Sequence, residues 1–311
     1  MLRRVLTALL IAATPVAAKA GPALVIDAKS GLVLYSEDAD RLWHPASLTK
    51  LMTAYLAFEA LRDGKLTIQS ELKVSENAHK EPPSKIGLPI GATMSMDLAL
   101  KALVIKSAND VAVMVAEGVA GSQQAFVDRM NQTAARLGMT RTKFFNPHGL
   151  PHEGQVTTAR DMAILGQRIL KEFPEWSELF QMRSFKIGGR TLGTHNGLLK
   201  TFEGADGMKT GFICDSGFNV VASASREGRR LVAVILGEPS VASRNERAID
   251  LLDNGFKRYF WKSLFGTSLD GLAIQASLYS GPAHLRDSIC GAKAKRKVIR
   301  KKRSRSTARS R

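Results

Sequence analysis

Ser47-Leu48-Thr49-Lys50 stands directly before Leu51-Met52-Thr53-Ala54-Tyr55-Leu56-Ala57-Phe58-Glu59-Ala60-Leu61, an apolar run of helix-favouring residues, and the reading of this join decides the fold. With Ser47 opening that helix, the i,i+3 spacing sets Lys50 one turn on along the same face, within reach of the serine hydroxyl. A serine hydroxyl is a poor nucleophile at neutral pH, and a lysine near pKa ~10.4 is a poor acceptor. The two work as nucleophile and base only where burial or a neighbouring positive charge depresses the amine. Taken alone, the tetrapeptide also fits a helix N-cap followed by a solvated lysine. The rest of the chain has to supply the setting.

Two further stretches do so. Ser107-Ala108-Asn109-Asp110 is a polar island between the apolar runs Leu98 to Lys106 and Val111 to Ala116. Polar groups in such a place must be satisfied or useful, although a core serine bonding back to a helix carbonyl is the plain alternative. Lys209-Thr210-Gly211 lies just before strand-like sequence. A Ser-x-x-Lys, a Ser-x-Asn and a Lys-Thr-Gly form the three-part set of penicillin-binding proteins and class A β-lactamases.

The context around each motif makes the likeness specific. On Pro45-Ala46-Ser47-Leu48-Thr49-Lys50-Leu51-Met52-Thr53, Lys106-Ser107-Ala108-Asn109-Asp110, Asn146-Pro147-His148-Gly149-Leu150, Thr158-Ala159-Arg160-Asp161-Met162-Ala163 and Asp206-Gly207-Met208-Lys209-Thr210-Gly211, the chain resembles the D-alanyl-D-alanine carboxypeptidases, the low-molecular-mass penicillin-binding proteins. The resemblance runs from about Leu24 to Tyr259. It implies a β-lactamase/transpeptidase-like α/β (α+β) fold, an antiparallel sheet flanked by helices with an inserted helical cluster.

It also implies roles. Ser47 would attack the carbonyl between two D-alanines at the end of a peptidoglycan stem peptide, with Lys50 as general base. Ser107 would relay a proton toward the leaving D-alanine, and Asn109 would orient Lys50 and the substrate. Lys209 and Thr210 would take the terminal carboxylate, and Gly211 would leave room beside the strand. The backbone N–H groups of Ser47 and Phe212 would hold the oxyanion, and Asn196 matches an asparagine near the site. β-Lactam antibiotics would act as covalent inhibitors. Ala108 departs from the glycine usual at the centre of the middle triplet, and His195 beside Asn196 is a second departure. The family's β-rich domain and amphipathic anchoring helix are not evident after Phe260.

The chemistry calls for no cofactor and no metal. His148, His152 and His195 are scattered and read as loop, surface or hydrogen-bonding residues. A class A β-lactamase would need a glutamate between the second and third motifs to activate water, and only Glu153, Glu172 and Glu175 are near. An endopeptidase cutting crosslinks through the same residues, and a non-catalytic wall- or polyanion-binding protein, are the other readings.

The chain has 311 residues, enough for one large domain or two modest ones, and a formal charge of +17. Eleven of its cations, with no acid, fall between Lys293 and Arg311, so the charge belongs mainly to a tail expected to be disordered. An anionic membrane surface is the candidate partner for that tail, and nucleic acid is not taken as a physiological partner. Met1-Leu2-Arg3-Arg4, the apolar Val5 to Ala13 and Ala18-Lys19-Ala20 read as a secretory signal peptide over residues 1–20. The expected organisation is then a catalytic domain over 21–262, a short extension over 263–292 and the tail over 293–311, in the periplasm or cell envelope. Cys214 and Cys290 permit one disulfide in an oxidising compartment. A core-strand position expected for Cys214 argues against the bridge.

Along the chain, Ala23 to Asp27 and Leu32 to Ser36 read as a hairpin, and Glu81 to Gly91 as a surface-lying excursion. Helices are expected to follow Ser95 or Asp97, to span Phe126 to Leu137, and to follow Thr157 or Thr158 and Ser240 or Ser243. A hairpin is expected over Phe185 to Leu192 and strands over Met208 to Phe212, Gly217 to Ala224 and Arg230 to Leu236, with a short one at Leu272-Ala273-Ile274.

Overall fold

Two short strands, β1 (Ala23–Asp27) and β2 (Val33–Glu37), open the described chain as the antiparallel hairpin their sequence suggests. The computed structural model describes residues 21–274 and 281–291, and the expected signal segment and basic tail lie outside them. A 3-10 turn at Ala46–Thr49 then leads into α1 (Lys50–Arg62). Every residue of α1 from Lys50 to Phe58 is buried, as befits a helix apolar on all sides.

The helical layer is inserted between the first hairpin and the rest of the sheet. It contains β3 (Glu71–Lys73), α2 (Glu76–Lys80), β4 (Thr93–Ser95) and α3 (Met96–Lys101). A wide turn at Ala102–Lys106 follows α3, and then come α4 (Asn109–Ala120), α5 (Gln123–Leu137) and α6 (Ala159–Glu172). Ser95, Ser122 and Thr158 cap α3, α5 and α6 by accepting from a backbone N–H three residues on, each worth about 1 kcal/mol. Next come α7 (Ser177–Gln181), the hairpin β5 (Ser184–Ile187) and β6 (Arg190–Gly193), and the single turn α8 (Leu198–Thr201).

The sheet is completed by β7 (Ala205–Ile213), β8 (Gly217–Arg226) and β9 (Arg229–Glu238). Its five strands run in the order β2-β1-β9-β8-β7, every neighbour antiparallel. Side-chain alternation sorts β1 and β9 cleanly between two cores. Leu24, Ile26, Val232 and Val234 face the helical layer, while Val25, Leu231, Ala233 and Ile235 face α9 (Val241–Phe265). The sheet at the two ends of the chain thus carries an inserted helical cluster on one face and one long helix on the other. This is the α+β architecture expected.

Three expectations are corrected. Leu272-Ala273-Ile274 forms no strand; the carbonyls of Leu272 and Ala273 instead accept from the Arg160 guanidinium at 3.0 and 3.1 Å. Cys214 is not inside a core strand: it lies one residue past the end of β7, at the turn into β8. There it is bonded to Cys290, at the end of α10 (Arg286–Ile289), so the two cysteines do meet. The same segment is held by Leu285 N–H donating to the Asp215 carbonyl at 3.0 Å and by an Arg286–Asp215 ion pair at 2.6 Å. Helix α9 ends at Phe265, and Leu269 beyond it is buried and donates its N–H to the Gly31 carbonyl at 2.8 Å.

Candidate active site

Ser47 sits in the tight turn that feeds α1, and two glycines fix how closely the neighbouring chain approaches it. Gly149 has φ +86°, and a Cβ there would lie 1.8 Å from the Ala46 carbonyl oxygen. Gly211 lies on the other side, where a Cβ would be 3.1 Å from the backbone nitrogen of Ser47 and 3.0 Å from the Pro45 carbonyl oxygen. Only a residue without a side chain lets the 144–151 loop and β7 close on the serine turn together. Ala46 itself takes φ +48°, a left-handed conformation that costs a non-glycine residue of order 1–3 kcal/mol.

The Lys50 amine is buried and makes three contacts: Ser47 Oγ at 3.1 Å, Asn109 Oδ1 at 2.8 Å and the His148 carbonyl at 2.6 Å. Burial, and after it the charge of Lys209, holds its pKa well below the ordinary lysine value, against the opposing pull of Glu81 and Asp110. The Asn109 and His148 oxygens only accept, so they use both hydrogens of a neutral amine. The lone pair is then left for the Ser47 hydroxyl. Asn109 is kept in that orientation because its Nδ2 donates to the Pro82 carbonyl at 2.9 Å and its backbone N–H to the Ser84 carbonyl at 2.7 Å.

Ser107 follows the wide turn at the end of α3, with φ +60°, so that its side chain turns out of the helical path. The Lys209 ammonium donates to Ser107 Oγ at 2.9 Å and to the Thr210 carbonyl at 2.9 Å. Burial, and then Arg244, brings the Lys209 pKa down to about 7. Each of the three motifs is therefore bonded to another side chain of the site: Ser47 to Lys50, Lys50 to Asn109, and Ser107 to Lys209.

A cavity of about 480 Å³ opens in front of these groups, lined by Ser47, Ser107, Asn109, Thr210, Gly211 and Phe212. Phe212 is half exposed and its ring stacks on Phe218 at 4.3 Å, so the side chain forms a rim while the backbone faces the cavity. Asn196 is buried at the edge: it donates to the Gly207 carbonyl at 3.0 Å and accepts from Leu198 N–H at 3.2 Å, steadying β7 from behind. Its neighbour His195, given no role from sequence, lines the cavity.

Arg244 is the other residue that sequence reasoning passed over. It lies in the first turn of α9, which the Ser240 and Ser243 side chains close as a capping box. Its guanidinium donates to Asn245 Oδ1 at 2.8 Å and to the His195 carbonyl at 3.5 Å, and burial lowers its pKa to about 10. Among the described residues, no carboxylate lies within ion-pair distance of Lys50, Lys209 or Arg244, and no Asp or Glu lines the cavity. Glu172 is bonded to the Tyr55 hydroxyl at 2.6 Å, and Glu153 and Glu175 are exposed. The Glu81–Ser84 segment, expected to be a surface excursion, is a wall of the site: Pro83 and Ser84 line it and Glu81 meets His148 Nε2 at 3.2 Å. His148 Nδ1 accepts from Leu150 N–H at 3.1 Å and burial lowers the ring's pKa, so the neutral Nε2–H tautomer faces Glu81.

The family model of D-alanyl-D-alanine carboxypeptidases (peptidase family S11) matches residues 10–240. The chain is 35% identical over 245 residues to the D-alanyl-D-alanine carboxypeptidase DacF of Bacillus subtilis, covering 78% of this chain and 63% of that protein. It spans less than two thirds of the length of that relative. Among solved structures, penicillin-binding protein 5 from Haemophilus influenzae superposes with a TM-score of 0.75 at 33% identity, over 78% of this chain and 72% of that one. Penicillin-binding protein D2 from Listeria monocytogenes in its cefotaxime-bound form superposes with a TM-score of 0.70 at 30% identity, over 76% of this chain and 97% of that one.

Proposed function

The chain belongs to the D-alanyl-D-alanine carboxypeptidase family, and from that membership we propose that it removes the terminal D-alanine of peptidoglycan stem peptides through an acyl-enzyme on Ser47. The observation that carries this reading is a Ser–Lys pair behind a cavity whose one charged lining side chain among the described residues is Arg244. A substrate ending in a carboxylate meets Thr210 and Arg244 at the wall, with the Lys209 ammonium directly behind.

In this reading Ser47 Oγ bonds to the scissile carbonyl carbon while its proton passes to the free lone pair of Lys50. The tetrahedral oxyanion is received where the Ser47 turn and β7 touch, by the N–H groups of Ser47 and Phe212, a fixed donor pair worth about 3 kcal/mol per donor. Breaking the C–N bond requires a proton on the leaving nitrogen. Ser107 hands on its hydroxyl proton and is resupplied with the proton that Lys50 took from Ser47, so Lys50 returns to the neutral amine and Lys209 stays charged. Water, with Lys50 again as base, then releases the shortened peptide. A β-lactam ring opens on the same serine. Among the described residues no Asp or Glu lines the cavity to activate water, which favours slow release of that adduct over the rapid hydrolysis of a class A β-lactamase.

The test is mass spectrometry after incubation with penicillin, beside an assay of free D-alanine from a pentapeptide ending in two D-alanines. We expect a covalent adduct and D-alanine release, both absent from Ser47→Ala. Neither product would leave a binding protein, rapid penicillin turnover would make it a lactamase, and release only from crosslinked peptide an endopeptidase. On chain isolated from the cell envelope, where we place the protein, the same spectrum reads the mature N-terminus, expected at Gly21.

A further inference from the structure

The two N–H groups assigned above to the oxyanion come from different loops, and one short segment from far along the chain touches both. Phe212 lies two residues before Cys214, at the tight turn from β7 into β8, and Ser47 lies three residues after His44. Residues 281–291, a strap that carries α10, meet the first loop through the Cys214–Cys290 bridge. There Leu285 N–H also donates to the Asp215 carbonyl at 3.0 Å, and Arg286 meets the Asp215 carboxylate at 2.6 Å. The strap meets the second loop at His44, whose ring centroid is 5.5 Å from that of His284. The loops are bonded to each other as well: Trp43 Nε1 donates to the Ser216 carbonyl at 2.9 Å, and Asn219 Nδ2, from β8, to the His44 carbonyl at 3.2 Å. Packing is close, since a Cβ on Gly217 would lie 3.3 Å from Leu285 Cδ1.

We propose that the Cys214–Cys290 bridge is a redox-sensitive positioning device for the oxyanion hole. Closed, it holds the strap against both loops and fixes the Phe212 N–H relative to the Ser47 N–H. Opened by a dithiol, it frees the β7–β8 turn and slows acylation. The proposal rests on the acyl-enzyme reading of Ser47, and the two cysteines act through Phe212 and Ser47 without touching substrate. Opening is a two-electron exchange. One thiolate of the dithiol attacks a bridge sulfur, its second thiol closes the reductant's own disulfide, and Cys214 and Cys290 are released as thiols, two electrons and two protons having been gained.

Two observations single out the bridge. It is attached one residue past a strand whose last members, Phe212 and Ile213, line the cavity, so the turn it holds is the one that places them. Among the described residues, the strap's remaining hold on that turn is one backbone hydrogen bond, the Leu285 contact and the Arg286–Asp215 pair. The arginine of that pair is 59% exposed, and such pairs hold weakly in water. An oxyanion hole stabilises charge because its donors stand in place before the charge develops. A displacement of about 1 Å can cost about 10²-fold. The loss falls on bond formation rather than on initial binding, because the donors match the oxyanion and not the ground-state carbonyl.

The experiment uses the chain from Gly21 to Arg311. Thiol titration of the unfolded, unreduced chain should find no free thiol, and two after dithiothreitol; two free thiols at the outset overturn the proposal. Rapid mixing with a fluorescent penicillin over a range of concentrations then separates initial binding from the acylation rate constant. After reduction by dithiothreitol and desalting, that rate constant should fall about tenfold, part of what one lost oxyanion donor costs. Initial binding and the final adduct stoichiometry should stay unchanged, and reoxidation should restore the rate. The variant Cys214→Ser with Cys290→Ser should acylate at the reduced rate and ignore dithiothreitol. A bridge that serves stability alone would lower the final stoichiometry and leave the rate constant of the folded fraction as it was, which overturns the proposal. An equal rate constant and equal stoichiometry in both redox states overturn it too. An adduct absent from every form overturns the Ser47 reading and this one with it.

Discussion

Two buried cations in this protein are treated in opposite ways. Arg160, on α6, meets both oxygens of Asp40 at 2.6 and 2.9 Å and gives its remaining donors to the carbonyls of Leu269, Leu272 and Ala273. Lys50, also buried, is offered an amide oxygen, a carbonyl and a hydroxyl, and of the charges acting on it that of Lys209 has the largest effect, outweighing Glu81 and Asp110. A cation matched by a carboxylate in fork geometry stays charged and ties distant segments together. A cation given only dipoles and another cation loses its proton and becomes a base. Both motifs are recognisable in the sequence, yet one fastens the chain and the other is the base of the proposed reaction.

The sharpest way to break this contrast is to remove each cation. Lys50→Met should slow acylation by penicillin about 10²–10⁴-fold, the range of a lost general base, with thermal stability preserved because an uncompensated buried amine is gone. Rapid-mixing acylation kinetics beside thermal unfolding reads both. Arg160→Met should do the reverse. Asp40 would lose the guanidinium that meets both its oxygens, costing up to about 3–5 kcal/mol in urea unfolding, while the folded fraction acylates near the parent rate. A collapse of acylation with stability intact would show that Arg160 belongs to the site.

A smaller effect sharpens the electrostatic half. With a pKa of about 7, Lys209 is charged below that pH and loses its charge as pH rises through it. Carboxylate recognition, and with it kcat/KM for a peptide substrate, should fall on the alkaline side from about pH 7. The acid limb reports Lys50, which must be neutral to act. Because Lys209 lowers the Lys50 pKa, Lys209→Ala should move the acid limb to higher pH and remove the alkaline fall. An acid limb unmoved in that variant would mean that burial alone tunes Lys50.

Local signals were legible where local chemistry sets the structure. The Thr158 and Ser240 caps, the left-handed glycine after α5 and the strand alternation of β1 and β9 stand where residue type predicts them. The Glu81–Ser84 segment was read as surface because its prolines and turn residues describe the backbone and say nothing of what lies against it. Its contribution, the Pro82 and Ser84 carbonyls that orient Asn109, is a contact across more than twenty residues of sequence. Arg244 carried no signal, since an arginine in the first turn of a helix is ordinary until β7 is seen beside it. Cys214 was misplaced by one residue, and that residue is the difference between a strand interior and a turn that reaches Cys290.

By itself the sequence determined the three chemical pieces and the family they belong to, because spacing along one helix fixes Ser47 and Lys50 together and the other motifs are recognisable as wholes. The tertiary structure decided what those pieces are worth. Only the closing of α1, the turn at Ser107 and β7 around one point depresses the Lys50 amine, leaves its lone pair for Ser47 and sets the Lys209 ammonium behind a cavity wall that carries Arg244. Depressed pKa values come from burial and neighbouring charge, and both are properties of the packed fold that no stretch of chain carries alone.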